Sequence, residues 1–111
     1  MHKLCDVLKG LSNMPAGIEL YVYLDNIDGR SITLWCDPAY LETISVNYRV
    51  DGKETQRFTI DFNPEWIDTV LGKLGLPGDS DGWSISTGTF NSLRYWASKF
   101  DDLYIKWEAF K

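Results

Sequence analysis

Residues 42–62 read ETISVNYRVDGKETQRFTIDF, and this stretch predicts the central β-hairpin of the fold. Apolar and polar residues alternate on both sides of Asp51-Gly52, a period that is typical of half-buried strands. A two-residue loop at Asp51-Gly52 would set Val46 opposite Arg57, so the alternation requires one extra residue. We therefore expect a three-residue turn, Val50-Asp51-Gly52, with Gly52 left-handed in a bulge.

The expected turn also predicts which residues of the two strands lie opposite each other. In that register Ile44 faces Phe58 and Val46 faces Gln56. The same reading of periodicity and of breaking residues places the other elements. These are helices over 3–11, 63–74 and 90–100, strands over 18–24, 32–36 and 103–110, and one helical turn after Asp37-Pro38.

This order of elements, α-β-β-β-β-α-α-β, predicts a single α+β domain over residues 1–111. Four consecutive strands favour an antiparallel sheet of about five strands, with amphipathic helices packed on one face. The longest irregular segment is expected over 76–89. A chain of 111 residues is long enough to bury a core without disulfides or metals.

The opposite face of the sheet is expected to carry the aromatic residues Tyr21, Tyr23 and Trp35. An antiparallel sheet commonly leaves one face to water, but that face is usually less aromatic. One interpretation is a binding surface. The other is that segment 76–89 covers these rings and forms a second small core with them.

Composition and charge favour some classes of function over others. The chain has 11 basic and 16 acidic residues, a net charge of −5, which argues against nucleic acid and favours cationic partners. Mild acidity also serves solubility alone. The one histidine, His2, leaves no ordinary Ser-His or Cys-His pair, and we predict no catalytic residue, metal or cofactor.

The cysteines and the apolar runs bear on the compartment. Cys5 and Cys36 are too few for a disulfide framework and are expected to be buried, reduced thiols. No long apolar run follows the N-terminus, so we expect no signal peptide, no membrane span and a cytoplasmic protein. The residues indicate no particular oligomeric state.

Acidic residues are concentrated in predicted loops, chiefly Asp79, Asp81, Asp101 and Asp102. The loop that carries the first two resembles a calcium loop only superficially, because its glycine spacing is wrong and the bidentate glutamate is missing. The last two are expected just after a helix C-terminus, where the macrodipole disfavours negative charge. Such placement fits either a binding site or an ordinary helix stop.

Three stretches carry a family resemblance: Lys3-Leu4-Cys5-Asp6-Val7-Leu8, the strand from Ile18 to Leu24, and Trp83 through Phe100. In these stretches, and in size, acidity and layout, the chain resembles the small immunity proteins of bacterial contact-dependent growth inhibition and related polymorphic toxin systems. The resemblance implies a cytosolic antitoxin that binds a cognate toxin domain, often a basic nuclease, and blocks its active site.

The leading hypothesis is therefore a non-enzymatic inhibitor of a basic protein, with carboxylates facing lysine or arginine and aromatic residues as anchors. The alternative is a small-ligand or single-stranded nucleic-acid binder that uses the aromatic sheet face. An enzyme with an acid-only active site is the third possibility. The predicted partner-binding residues are Asp79, Asp81, Trp83, Asp101, Asp102, Tyr21, Tyr23 and Trp35.

Overall fold

A computed structural model of the chain describes residues 2–12, 19–36 and 43–109. Within these ranges the chain forms four helices and five strands. In chain order they are α1 (Leu4–Leu11), β1 (Leu20–Asn26), β2 (Arg30–Cys36), β3 (Thr43–Val50), β4 (Lys53–Asp61), α2 (Trp66–Leu74), β5 (Trp83–Ile85), α3 (Thr87–Ala97) and α4 (Asp101–Ala109). The strands form one antiparallel sheet in the order β4-β3-β2-β1-β5, so the predicted α+β class is confirmed.

The turn of the central hairpin differs from the prediction. Val50 pairs directly with Lys53, and both intervening residues have positive φ, 51° at Asp51 and 80° at Gly52. Two positive φ angles define the two-residue type I′ turn, whose twist matches that of the strands. The expected three-residue turn is therefore wrong.

The extra residue that the alternation requires lies inside β4. Arg49 pairs with Glu54 but Tyr48 pairs with Gln56, which leaves Thr55 as a β-bulge. The Thr55 hydroxyl donates to the Tyr48 carbonyl oxygen over 3.1 Å. Beyond the bulge the partners are Val46 with Phe58 and Ile44 with Ile60, so the predicted pairs were displaced by two residues.

The main core lies between the inner face of the sheet and helices α1 and α2, as predicted. The helices contribute Leu4, Val7, Leu8, Leu11, Trp66, Val70 and Leu74, all buried. The inner face contributes alternate residues of the strands, including Val22, Leu24, Ile32, Leu34, Ile44, Val46 and Ile60. A left-handed Gly75, with φ 67°, ends α2 where the sequence predicts a stop.

Helix α3 packs along the edge of β1. Strand β5 pairs only with the last three residues of β1, so the earlier edge needs another partner. The wholly buried Thr89 provides it: its hydroxyl oxygen accepts from the Tyr23 N–H, and its O–H donates to the Tyr23 carbonyl over 2.9 Å. Ser86 N–H donates to the same carbonyl over 2.8 Å. A second small core of Leu20, Leu93 and Leu103 holds α3, α4 and β1 together.

Two predicted elements are corrected. The expected C-terminal strand over 103–110 is wrong, because the chain there forms α4. Leu103 and Trp107, four residues apart, both pack in the second core, whereas Ile105 is 66% exposed; this is helical spacing. The irregular segment over 76–89 contains β5 and the start of α3.

Other predictions concern element ends and the membrane. Helix α2 begins at Trp66, later than the predicted residue 63, and Asn63 Oδ1 accepts from the Glu65 N–H over 3.0 Å in the turn before it. Ile18 and the predicted helical turn after Asp37-Pro38 lie outside the described residues. None of the helices in the described ranges has the length and apolarity needed to cross a membrane.

Candidate functional site

The outer face of the sheet carries a stack of three aromatic rings. Tyr21 and Trp35 are cross-strand partners on β1 and β2, and their ring centroids lie 5.6 Å apart with planes 3° apart. Tyr23 follows two residues later on the same face of β1, 6.5 Å from Tyr21 with planes 12° apart. The predicted placement of these three residues on one face therefore agrees with the geometry.

Two of these rings are open to solvent. Tyr21 is 40% exposed and Tyr23 is 37% exposed, while Trp35 is partly buried. Segment 76–82 packs elsewhere, against the start of α1 and the end of β1. The interpretation in which segment 76–89 buries these rings as a second core is wrong for the two tyrosines, although Gly88 lies against Tyr23.

Helix α3 extends the aromatic area beyond the sheet. A groove of about 420 Å³ separates it from β1, and its lining is Glu19, Tyr21, Asn91, Ser92, Tyr95 and Trp96. The rings of Tyr95 and Trp96 meet edge to face at 5.1 Å, and Phe100 lies 6.3 Å from Trp96. We call the set of Tyr21, Tyr23, Trp35, Tyr95, Trp96 and Phe100 the aromatic surface.

Sequence reasoning missed Glu19 and Tyr95, and it assigned Trp96 to the core side of its helix. One local signal was available. Tyr95 follows Asn91 and Ser92 by four and three residues, so it lies on the polar side of α3, where a 58% exposed aromatic side chain is conspicuous. No local signal places Glu19 beside α3, because the two segments are about 70 residues apart in the chain.

Beyond Trp35 the outer face becomes polar. A hollow of about 470 Å³ lies here. Its lining combines polar side chains with apolar and aromatic ones: Thr33, Ser45, Asn47, Arg57 and Thr59 with Tyr21, Trp35, Val46 and Phe58. Arg57 Nε donates to Glu54 Oε1 over 2.6 Å, and Asn47 Nδ2 donates to the same oxygen over 3.3 Å. Within the described part of the chain, Trp35 Nε1 and Asn47 Oδ1 are buried without a hydrogen-bond partner.

Asp79 and Asp81 are exposed, but the fold keeps them away from the aromatic stack. Their loop packs on the start of α1, where the carbonyls of Gly78 and Ser80 accept from the backbone of α1 at 2.9 Å each. The Asp81 carbonyl accepts from Asn26 Nδ2 over 2.9 Å, at the last residue of β1. Since Tyr21 lies five residues earlier on that strand, roughly 17 Å separates the two positions.

Trp83 is not an exposed anchor, contrary to the prediction. Its side chain is 0% exposed, at the start of β5, and its Nε1 donates to Ser80 Oγ over 3.1 Å. The Arg30 guanidinium lies 5.3 Å from its ring centroid. Its backbone N–H and C=O both pair with His2. A residue held in this way belongs to the core, and a partner reaches it only if the fold opens.

The electrostatic setting of Asp101 and Asp102 is also the reverse of the prediction. Both are exposed residues of the first turn of α4, where the positive end of the helix dipole favours negative charge. They directly follow Phe100, which belongs to the aromatic surface. Their placement therefore needs no binding partner to explain it, and it puts two carboxylates at the rim of that surface.

Histidine, cysteine and carboxylate side chains are the groups of the described residues that could hold a metal ion or react as nucleophiles. No group of three or more histidine, cysteine, aspartate or glutamate side chains within those residues is placed to hold a metal ion. Cys5 and Cys36 are free and partly buried. Burial raises the pKa of the Cys36 thiol, because desolvation disfavours the thiolate.

Comparisons of the chain with protein-family models, curated proteins and solved structures find no significant match. The candidate site therefore rests on the geometry of this chain.

Proposed function

We propose that this chain is a non-enzymatic binding protein that holds a cationic protein on its aromatic surface. In the specific form that we propose, it is an immunity protein that acts in the cytoplasm and neutralises a cognate toxin domain, often a basic nuclease. The observation that carries the proposal is the continuity of the aromatic surface from β2 across β1 to α3. Contiguous exposed aromatic area of this kind is typical of interaction sites.

The residue types of the aromatic surface favour a protein partner. Tyrosine and tryptophan are enriched among the residues that dominate binding energy, because each buries a large area at a small entropic cost. Tyr21 and Tyr95 are each at least 40% exposed, so burial by a partner would remove apolar area from water. Rings that were fully packed already would gain nothing from a partner.

The charges around the aromatic surface favour a cationic partner over a nucleic acid. Glu19 and Asp25 are exposed beside the tyrosines of β1, and Asp101 and Asp102 follow Phe100. On the outer face, Arg57 is already paired with Glu54. A phosphate backbone approaching this face would meet that carboxylate together with a net charge of −5.

Co-expression tests the proposal directly. The probe is the toxin domain encoded by a reading frame adjacent to the gene of this chain, and the readouts are growth of the co-expressing cells and calorimetric affinity of the purified pair. Wild type should restore growth, and Tyr21→Ala or Tyr95→Ala should each weaken binding by about 1–2 kcal/mol or more. Tyr104→Ala is the matched control, since Tyr104 is 52% exposed but lies on α4 outside the aromatic surface.

Retention of the folded state has to be checked for each variant by its melting temperature. Growth rescue that survives both tyrosine replacements would show that the partner uses another surface. A domain that is toxic but neither binds this chain nor is neutralised by it would contradict the antitoxin assignment.

Small-ligand binding in the hollow beside Trp35 is a second candidate, and one observation favours it. Trp35 Nε1 and Asn47 Oδ1 supply a donor and an acceptor that are unpartnered within the described residues. Buried polar groups ordinarily have partners, so a ligand with complementary polar groups would satisfy both. A fragment library tests this candidate, with the chemical shift of the Trp35 indole N–H as the readout. If no fragment shifts that resonance, the candidate is contradicted.

A further inference from the structure

We infer that the groove between β1 and α3 receives the ammonium or guanidinium group of a lysine or arginine side chain of the partner. The inference rests on the proposed function for the identity of the partner. It adds the chemistry that the groove recognises and the residues that recognise it. The argument starts from the two walls of the groove.

The wall formed by β1 contributes a carboxylate and an aromatic ring. Glu19 and Tyr21 both line the groove, and both are exposed to solvent. Glu19 is the one charged group among the described lining residues, and it makes no ion pair within the described chain. A free carboxylate next to a ring is the arrangement that attracts a cation through both charge and the ring quadrupole.

The wall formed by α3 supplies two more rings and two small polar side chains. Asn91, Ser92, Tyr95 and Trp96 recur at three- and four-residue spacing, so they form one face of the helix. Tyr95 and Trp96 are perpendicular, with an interplanar angle of 81°, and therefore present ring faces in two directions. Together with Tyr21 they give the groove lining three aromatic rings, alongside one carboxylate.

The molecule already places one of its own cations on a ring of this groove. Lys99 Nζ lies 5.4 Å from the centroid of Tyr95, within the range of a cation–π interaction. Lys99 is not among the lining residues, so it contacts Tyr95 from outside the groove lining. A partner's cation entering the groove would be repelled by Lys99, which is therefore a competitor for the ring.

The carboxylate decides between a cationic and an apolar occupant. An apolar side chain would gain contact with the rings but would desolvate Glu19 without giving it a partner, which is costly. A lysine or arginine side chain packs its methylene groups on the rings and brings its charge to the carboxylate. The groove volume of about 420 Å³ falls within the range of sites that bind small groups.

A small-cation titration of the full chain tests the groove without any partner protein. The probes are choline and its uncharged isostere 3,3-dimethylbutan-1-ol. The readout for both is the chemical shift of the Trp96 indole N–H. Choline should shift this resonance with a millimolar dissociation constant, and the alcohol should bind about two- to fivefold more weakly, the range of an exposed cation–π contact.

Two replacements with opposite expected effects on choline affinity test the roles of Glu19 and Lys99. Glu19→Gln keeps the shape and removes the charge, and it should weaken choline binding by about two- to fivefold. Lys99→Ala removes the competing cation and should strengthen choline binding. Asp79→Asn is the matched control: it removes one carboxylate at the far end of β1 and should leave choline binding unchanged. Equal binding of choline and the alcohol, no choline shift, or no effect of Glu19→Gln would each overturn the inference.

The failure of this inference is distinguishable from the failure of the proposed function. If the toxin domain binds through Tyr21 but Glu19→Gln leaves its affinity unchanged, the function stands and the cationic occupant is wrong. If the choline results hold but no toxin domain binds the aromatic surface, the groove recognises cations and the proposed function fails. A loss of toxin affinity in Glu19→Gln together with a gain in Lys99→Ala supports both.

Discussion

At the scale of single residues, two tryptophans of this chain have opposite surroundings. Trp83 is fully buried, with its indole N–H bonded to Ser80, whereas Trp35 lies on the outer face and stacks on the exposed Tyr21. Deletion of a buried ring removes its transfer free energy and leaves a cavity, while a ring on an outer face loses only its covered part. We therefore expect Trp83 to contribute more to stability than Trp35, which belongs to the proposed binding surface.

Alanine replacement of each tryptophan tests this difference. We expect Trp83→Ala to lower the free energy of unfolding by about 3–5 kcal/mol, and Trp35→Ala by less than about half of that. Urea denaturation of the two variants measures both values. Comparable losses would mean that Trp35 is as much a core residue as Trp83, and it would then be withdrawn from the aromatic surface.

The Cys36 thiol gives a second prediction at this scale. Because burial raises its pKa, a smaller fraction of thiolate is present at a given pH in the folded state than in the unfolded state. In a Cys5→Ser background, iodoacetamide should react with Cys36 at least about tenfold more slowly in buffer than in urea. Equal rates in the two solvents would contradict the buried placement.

The same pKa shift predicts the direction in which stability changes with pH. The thiol of the unfolded chain ionises at a lower pH than the folded one, so the contribution of Cys36 is fully present below the unfolded pKa. It declines as the pH rises through the folded pKa. Replacing Cys36 with alanine should therefore flatten the alkaline part of the stability profile measured by urea denaturation.

At the scale of elements, the central hairpin combines a two-residue turn with a bulge. The turn alone would put the second strand out of phase, and Thr55 restores the phase so that Phe58 and Ile60 return to the inner face. Strand β4 is also an edge of the sheet. A bulge on an edge strand discourages pairing with other chains, so the bulge at Thr55 also protects the exposed edge of the sheet.

Two single-residue deletions test the phase argument. Deletion of Thr55 should give a continuous ladder, with unfolding free energy changed by no more than about 1 kcal/mol. Deletion of Thr59 should turn Ile60 outward and bring Asp61 opposite Ile44, at a cost of about 2–5 kcal/mol. Urea denaturation compares the two proteins. A stable Thr59 deletion would show that the register is weakly specified.

The junction of α3 with β1 depends on one buried hydroxyl. Thr89→Val keeps the shape but leaves the Tyr23 N–H without its acceptor, which should cost about 1–3 kcal/mol. Thr89→Ser keeps the hydroxyl and serves as the control. Amide hydrogen exchange at Tyr23 is the readout: protection should fall in the valine variant and persist in the serine variant. Unchanged protection in both would mean that another group holds this edge of β1.

At the scale of the whole molecule, the proposed binding would depend on the net charge of −5 and on the aromatic surface in separate ways. Long-range attraction sets the rate at which a cationic partner arrives, and desolvated contacts at the anchors set the rate at which it leaves. For the proposed interface we expect Asp79 and Asp81 to act on the first rate only, because they lie at the other end of β1 from Tyr21.

The double variant Asp79→Lys/Asp81→Lys separates the two rates. Each replacement changes the charge by two, so the net charge moves from −5 to −1. Association with the cationic toxin domain should slow and become less sensitive to salt, while dissociation stays nearly constant. Surface plasmon resonance at several ionic strengths measures both rates. A large rise in the dissociation rate would place these acids inside the interface.

Local periodicity was enough to predict much of this protein from its residues. Alternation along β1 and β2 puts Tyr21, Tyr23 and Trp35 on one face, because side chains of a strand point to alternate sides whatever the rest of the chain does. The apolar spacing that predicts α1 and the glycine that ends α2 are likewise local signals, each spanning a few residues. The α+β class and the antiparallel sheet follow from the order of such elements.

The tertiary structure alone decided the features that depend on distant partners. The segment after Asp101 has the alternating pattern of a strand. It forms a helix instead, in which Leu103 packs with Leu20 and Leu93. Trp83 is buried because β5 pairs with the end of β1. Tyr23 and Thr89, 66 residues apart, form hydrogen bonds with each other, and Tyr95 and Glu19 thereby line the same groove. Contacts over such separations depend on which surfaces bury each other, and no local period encodes them.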